Sequence, residues 1–150
     1  MDYTQAFAVS AAGMTVERTR VDVAAINLAN ANTVQDARDG VYRPLRAVAR
    51  TSGPASFAGL VDAGISDAPG LFLPALPNVT VEAADVAPRM VYEPGHPFAN
   101  AKGFVAYPGV DSAVEMVTMM SATRAYEANV SAMNTARTMA LKALDIGGAT

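Results

Sequence analysis

Acid–base or metal chemistry would have to rest on few residues, because the chain holds one histidine and no cysteine. His96 lies in the segment Glu-Pro-Gly-His-Pro at 93–97, where the prolines and the glycine favour a tight turn. A catalytic or zinc site at His96 would need a nearby carboxylate. Glu82, Asp85 and Glu93 have neither zinc-ligand nor catalytic-triad spacing. We therefore interpret His96 as a structural turn residue and predict no catalytic residue, no metal site and no cofactor.

No other pattern of side chains indicates an enzyme or a nucleic-acid-binding protein. Serines and threonines are abundant, but none lies in a nucleophile elbow or a Ser-x-x-Lys pair. Gly147 and Gly148 indicate a helix end and not a phosphate-binding loop. The formal net charge is -3 and the 11 Lys and Arg residues are scattered, so neither nucleic acid nor acidic lipid is an expected partner. We predict that the chain is not an enzyme and takes no small-molecule substrate.

The amino-terminal sequence predicts no cleavable secretory signal, since it lacks a basic region followed by a long apolar stretch. No apolar run approaches about 18 residues, the length that a membrane-spanning helix needs. The lack of cysteine leaves the cellular compartment undecided. A dedicated export machine that leaves the amino terminus intact is compatible with these observations.

Two long helices are predicted at the ends of the chain, where they would position any functional surface. Residues 111–146 contain no proline and no glycine, which predicts a helix of about 50 Å at the usual rise per residue. Residues 3–31 carry apolar or small side chains at spacings of three and four, the pattern of a helix that packs on another helix. A helix as long as the second exceeds what a chain of 150 residues usually contains. It therefore needs an additional partner surface.

The middle of the chain has a different composition, since residues 34–110 hold all nine prolines. Short runs typical of strands occur there, and Pro44 would confine the first of them to the edge of a sheet. Residues 53–77 are rich in turn-forming residues and predict an exposed loop. The runs typical of strands are 41–50, 79–86, 89–92 and 104–107.

These features predict a mainly α fold with a small β insert. The long N- and C-terminal helices pack as an antiparallel coiled-coil-like pair, and an irregular middle that contains β-hairpins lies outside them. We divide the chain into a terminal-helix domain, formed by residues 1–33 and 111–150, and a β/loop insert at 34–110 with a flexible loop at 53–77.

The carboxyl-terminal helix carries two adjacent stripes of apolar and small residues, a face wider than one partner helix covers. Such a helix can contact its own amino-terminal partner and a neighbouring subunit, and an open interface of this kind generates a helical polymer. The alternative is that these stripes are ordinary core. The predicted assembly interface comprises Phe7, Met14, Val21, Leu28, Asn30, Met116, Met120, Tyr126, Asn129, Met133, Asn134, Leu141 and Leu144.

Several segments resemble one known family, the flagellar axial proteins. Residues 26–33, Ile-Asn-Leu-Ala-Asn-Ala-Asn-Thr, are similar to the rod-type signature of that family. Tyr-Glu-Pro-Gly-His-Pro-Phe at 92–98 and Gly-Phe-Val-Ala-Tyr-Pro-Gly-Val at 103–110 resemble the segment before the final helix of basal-body rod proteins of the FlgC type. Further matches are Arg-Ala-Tyr-Glu-Ala-Asn at 124–129, Asn134-Thr135, and Leu-Asp-Ile-Gly at 144–147. The similarity covers about two thirds of the chain, residues 1–50 and 88–147.

The resemblance implies a structural subunit of the proximal rod, the hollow drive shaft that transmits torque from the motor to the hook. It implies that the terminal helices form the inner tube and that the insert contacts neighbours. The implied partners are other rod proteins, copies of the chain itself, and inner-membrane ring or export-gate components at the proximal end. The implied location is the periplasmic rod of the bacterial flagellum basal body, reached through the flagellar type III apparatus without signal cleavage.

Two alternatives to a proximal rod subunit stay open. One is another flagellar axial component, a distal rod or hook-type protein, although the short chain and the segment at 92–110 argue against it. The other is a small soluble enzyme or binding domain. That reading predicts a compact monomer with a pocket and cooperative unfolding.

Overall fold

A computed structural model of the chain describes residues 3–34, 40–51 and 76–148. Within these ranges the elements follow the order α1, β1, β2, β3, β4, α2. The mainly helical fold with a small β insert is confirmed. The predicted flexible loop at 53–77 lies outside the described residues except for its last two positions, Leu76 and Pro77, and Pro77 opens a strand.

The two long helices are α1, Tyr3–Asn30, and α2, Ser112–Gly148. Helix α2 begins one residue later than predicted, because Asp111 caps it. The Asp111 carboxylate Oδ1 accepts hydrogen bonds from the backbone N–H groups of Ala113 at 2.9 Å and Val114 at 3.3 Å. These bonds satisfy donors that have no partner inside the first turn. At its other end α2 extends through both terminal glycines, two residues beyond the predicted end at 146.

The four strands form two separate antiparallel pairs. Strands β1, Leu45–Thr51, and β2, Pro77–Ala83, pair with Leu45 opposite Ala83 and Thr51 opposite Pro77. Strands β3, Arg89–Tyr92, and β4, Phe104–Tyr107, pair with Arg89 opposite Tyr107. β1 and β2 both contact α1, whereas β3 and β4 contact only each other among the described elements.

The helices α1 and α2 pack antiparallel over most of α1, as predicted. Two contacts fix their register: Gly13 lies against the side chain of Asn129, and Asn27 bonds the carboxylate of Glu115. These contacts are fourteen residues apart on each helix, which is two heptads, so the pair keeps one register over this distance.

Small side chains fill the contact between the two helices. Buried positions include Ser10, Ala24 and Ala31 on and just after α1, and Ala122 and Ala136 on α2. Gly13, Glu17, Arg20 and Asn27 lie between these α1 positions, and together they recur at alternating spacings of three and four, which is a heptad seam. Small residues let the two backbones approach closely, but they bury little apolar surface.

Candidate assembly surface

Helix α2 exposes many large apolar side chains on the sides that turn away from α1. Met116, Met120 and Leu141 are 51%, 56% and 53% exposed, and their helical positions lie well away from Ala122 and Ala136 in the seam. Other large apolar residues of α2 that remain exposed are Val114, Val117, Tyr126, Met139, Leu144 and Ile146. A soluble helix that leaves this many large apolar side chains exposed is a candidate interaction surface.

The exposed surface is greatest at the carboxyl end of α2. Helix α2 has 37 residues and α1 has 28. In the observed antiparallel register Tyr3, the first residue of α1, lies opposite Met139 of α2. Beyond this point Leu144 and Ile146 are 72% and 77% exposed. About two turns of helix therefore extend past the described part of α1 with their apolar residues uncovered.

The predicted interface residues of α1 flank the seam and do not fill it. Phe7, Met14, Val21 and Leu28 are spaced by sevens and are all half-buried, one position after the seam residues on the helix. Asn30 is also half-buried, and its side-chain Nδ2 donates to the carbonyl oxygen of Ile26 at 2.8 Å within its own helix. The predicted α1 stripe is thus rotated from the face that packs most tightly.

The predicted interface residues of α2 fall into two groups. Asn129 and Met133 are half-buried and share the stripe of Ala122 and Ala136, so they face α1 within the same chain. The remaining predicted residues are exposed. Tyr126 borders the seam, since it lies seven residues before Met133, and Leu144 lies past the described end of α1. The residues that point away from α1 are Met116, Met120, Asn134 and Leu141.

Asn27 is the residue that the sequence analysis missed. Its side chain is 1% exposed and makes four hydrogen bonds. The Nδ2 group donates to the Leu45 carbonyl oxygen at 2.8 Å and to Glu115 Oε1 at 3.0 Å. The Oδ1 atom accepts from the Leu45 N–H at 2.8 Å and from the Tyr42 hydroxyl at 2.9 Å. The available signal was its position in a heptad pattern of small residues that lies beside the predicted stripe of Phe7, Met14, Val21 and Leu28.

The electrostatics around Asn27 reflect its burial. Burial, and secondly the negative charge of Glu115, raise the pKa of the Tyr42 hydroxyl. The neutral hydroxyl is therefore favoured as the donor to Asn27. In the β3–β4 pair, burial and a hydrogen bond to Glu93 raise the pKa of Tyr107, and the positive charge of Arg89 lowers it by a smaller amount. Both tyrosines stay protonated near neutral pH.

The structure places His96 in the predicted turn. The backbone N–H of Phe98 donates to His96 Nδ1 at 3.2 Å, and the ring lies 5.7 Å from the Phe98 ring. No group of three or more His, Asp or Glu residues that could hold a metal ion occurs in residues 3–34, 40–51 and 76–148. None of the helices in these ranges is long and apolar enough to span a membrane.

Comparisons with known proteins give consistent results. Residues 101–146 match a family model described as flagellar basal body rod FlgEFG protein C-terminal. The flagellar basal-body rod protein FlgC of Escherichia coli O6:H1 is 36% identical over 141 residues, which are 94% of this chain and 95% of that protein. The Bacillus subtilis FlgC protein is 38% identical, with 93% and 94% covered. The Yersinia enterocolitica FlgC protein is 33% identical, with 98% and 99% covered.

Proposed function

The chain belongs to the FlgC family of flagellar basal-body rod proteins and is a structural subunit of that rod, in which we propose that its outward-facing α2 residues bind neighbouring subunits. Nearly full-length similarity to FlgC proteins favours this over a distal rod or hook-type protein. The chain acts by assembly and not by catalysis.

The exposed apolar face of α2 is the observation that supports assembly most directly. Fully burying a Met, Leu or Ile side chain stabilises a protein by about 1.5–3 kcal/mol, so each half-exposed residue has roughly 1 kcal/mol left to gain in an interface. Nine large apolar residues of α2 are more than a third exposed. Covering them in neighbouring subunits therefore provides a substantial driving force for polymerisation.

The terminal-helix domain, residues 1–33 and 111–150, forms the inner tube of the hollow drive shaft. The insert at 34–110 faces outward and contacts other rod proteins. This division is supported by the continuous α1–α2 pair and by the distal position of β3 and β4, which contact neither helix among the described elements. Parallel contacts between many helices would transmit torque from the motor to the hook.

In this proposal the chain is a subunit of the proximal part of the rod, which lies in the periplasm. Its partners are other rod proteins and copies of itself, with inner-membrane ring or export-gate components at the proximal end. Export proceeds through the flagellar type III apparatus without signal cleavage. A seam made of small residues supports this route, because a helix pair with little buried apolar surface unfolds at low cost before passing through a narrow channel.

The experiment compares Met120→Asp and Leu144→Asp with Met120→Leu and Leu144→Met in cells that lack the chromosomal copy. Basal bodies are isolated and the chain is quantified by mass spectrometry. We expect basal-body recovery of the charged variants to fall at least tenfold. A tenfold loss of affinity corresponds to about 1.4 kcal/mol, and burying an unpaired charge in an interface costs more than this. The apolar controls should assemble normally.

Circular dichroism of each purified variant supplies the folding control. If the Asp variants keep the helical signal and still assemble in normal numbers, this face of α2 is not an interface. If the unmodified chain is missing from basal bodies, its assignment to the rod itself is wrong.

A further inference from the structure

The side-chain amide of Asn27 is saturated with hydrogen bonds. An asparagine amide offers two N–H donors and two acceptor lone pairs. Both donors of Asn27 are used, by Leu45 and Glu115, and its oxygen accepts from Leu45 and Tyr42. We call these four residues the Asn27 node. A buried and fully satisfied amide fixes its neighbours in one arrangement, because any other leaves buried polar groups unpaired.

The Asn27 side chain bonds the backbone of Leu45 in the way that a neighbouring β-strand would. The backbone N–H of Ala84 donates to the Pro44 carbonyl at 2.7 Å, which makes Pro44 and Ala84 a hydrogen-bonded pair. Because such pairs alternate in an antiparallel ladder, the N–H and carbonyl of Leu45 point away from β2. The Asn27 amide bonds both groups, each at 2.8 Å. The amide therefore pairs with the open edge of β1 at Leu45, its first residue, as a peptide group of another strand would.

The node also joins the two helices. Asn27 lies on α1 and Glu115 on the first turns of α2, so the same amide holds the helix pair and β1 together. We propose that the Asn27 node is a coupling device that fixes the β1–β2 pair in one orientation on the α1–α2 pair. Without the amide, the strand pair is attached to α1 by side-chain packing alone and its orientation varies. Tyr42 strengthens the attachment from the segment that precedes β1.

The node matters for a rod subunit because outer segments must keep a defined position on the inner helices. This consequence rests on the proposed function, whereas the coupling itself is a property of the single chain. The two are tested separately, since the coupling can be measured on purified protein in the absence of any rod.

The experiment measures two distances in the purified full-length chain by electron spin resonance. The chain contains no cysteine, so cysteines introduced in pairs carry the spin labels without background. One pair, at Arg18 and Asn78, reports the orientation of the strands on α1. The other pair, at Arg18 and Glu127, reports the helix pair. All three positions are exposed, and Asn78 lies near the far end of β2, where a rotation about the node is amplified.

We expect Asn27→Ala to broaden the 18–78 distance distribution at least twofold while the 18–127 distribution stays narrow. The matched control is Asn30→Ala, which removes an asparagine one turn away whose side chain, among the described residues, bonds the Ile26 carbonyl and Thr33. This control should leave both distributions unchanged. Exchange of the Leu45 amide proton should accelerate by about 100-fold in Asn27→Ala, because the N–H loses its buried acceptor.

A second variant distinguishes loss of the coupling between strands and helices from general loss of folding. Asn27→Asp combined with Glu115→Gln reverses donor and acceptor across the helices, so their hydrogen bond can form again. In this variant the Leu45 carbonyl faces a carboxylate and has no donor. We expect a narrow 18–127 and a broad 18–78 distribution. Narrow 18–78 distributions in both variants would overturn the proposal, as would broadening of both distances in the double variant or a broad 18–78 distribution in the unmodified chain.

Discussion

Gly13 should be more important to the helix pair than any other glycine of the helices. A Cβ atom at this position would lie 2.8 Å from Asn129 Oδ1, 2.9 Å from Nδ2 and 3.0 Å from Cγ. Real Cβ atoms essentially never approach other heavy atoms below 3.0 Å. The Asn129 amide is held by a hydrogen bond of 3.0 Å from its Nδ2 to the Ala125 carbonyl, so it cannot withdraw freely. Gly13→Ala therefore forces the helices apart or displaces Asn129.

Two opposing effects set the magnitude of Gly13→Ala. Alanine in place of glycine inside a helix favours folding by about 1 kcal/mol. Overpacking of a well-packed contact costs about 1–3 kcal/mol. We expect the free energy of unfolding to fall by about 0–2 kcal/mol. In Asn129→Ala the clash is absent, so adding Gly13→Ala in that background should raise the free energy of unfolding by about 1 kcal/mol.

The assay is urea unfolding of the four proteins of this double-mutant cycle, followed by helical circular dichroism. The expected coupling between the two positions is about 1–3 kcal/mol, above the ~0.5 kcal/mol typical of independent sites. Gly147→Ala is the control, because no described residue places an atom within 4 Å of a Cβ at that position of α2. It should be neutral or slightly stabilising. Additive effects of Gly13→Ala and Asn129→Ala would refute the close approach of the two helices.

Two further predictions concern the strand-bearing segment. Because burial and the charge of Glu115 raise the pKa of Tyr42, its contribution to stability is complete below the unfolded value near 10 and is lost as pH rises through the folded value. Tyr42→Phe should cost about 1 kcal/mol at neutral pH. In unfolding titrations it should lose less stability than the unmodified chain as the pH rises above about 10, and an unchanged alkaline slope would contradict this. Gly109→Ala places a Cβ 2.5 Å from the Ala87 carbonyl oxygen and 2.6 Å from Val86 Cγ1, and should destabilise the chain by about 1–3 kcal/mol in thermal unfolding. Gly95→Ala should cost less, because no described residue lies within 4 Å of a Cβ at that position.

The sequence predicts the elements well where local chemistry decides them. Absence of proline and glycine between 111 and 146 defines α2 to within two residues at each end. Strands β3 and β4 have the predicted bounds, 89–92 and 104–107. β1 begins four residues later than predicted, at Leu45, whose backbone N–H and carbonyl bond the Asn27 side chain, and sequence periodicity does not reveal this tertiary contact.

The face of α1 could not be predicted from hydrophobicity. Phe7, Met14, Val21 and Leu28 belong to the stripe of apolar or small residues whose spacing of three and four predicts a helix contact. The observed seam instead uses small and polar residues, among them Gly13 and Asn27. Hydrophobic periodicity identifies a contact only where the contact is made by large apolar groups, and here close backbone approach and a buried amide replace them.

The large apolar side chains of α2 remain largely uncovered in the single chain, and this favours assembly. Glu17 and Arg20 form an ion pair of 2.8 Å on the seam side of α1, and the Glu17 side chain is only 16% exposed. A partly buried ion pair contributes little net stability, and the small seam residues bury little apolar area. The larger apolar groups, such as Met120 and Leu144, remain on the outside of α2. Most of the hydrophobic free energy available to α2 is therefore realised only between chains, so the helix pair should gain stability on entering the assembly.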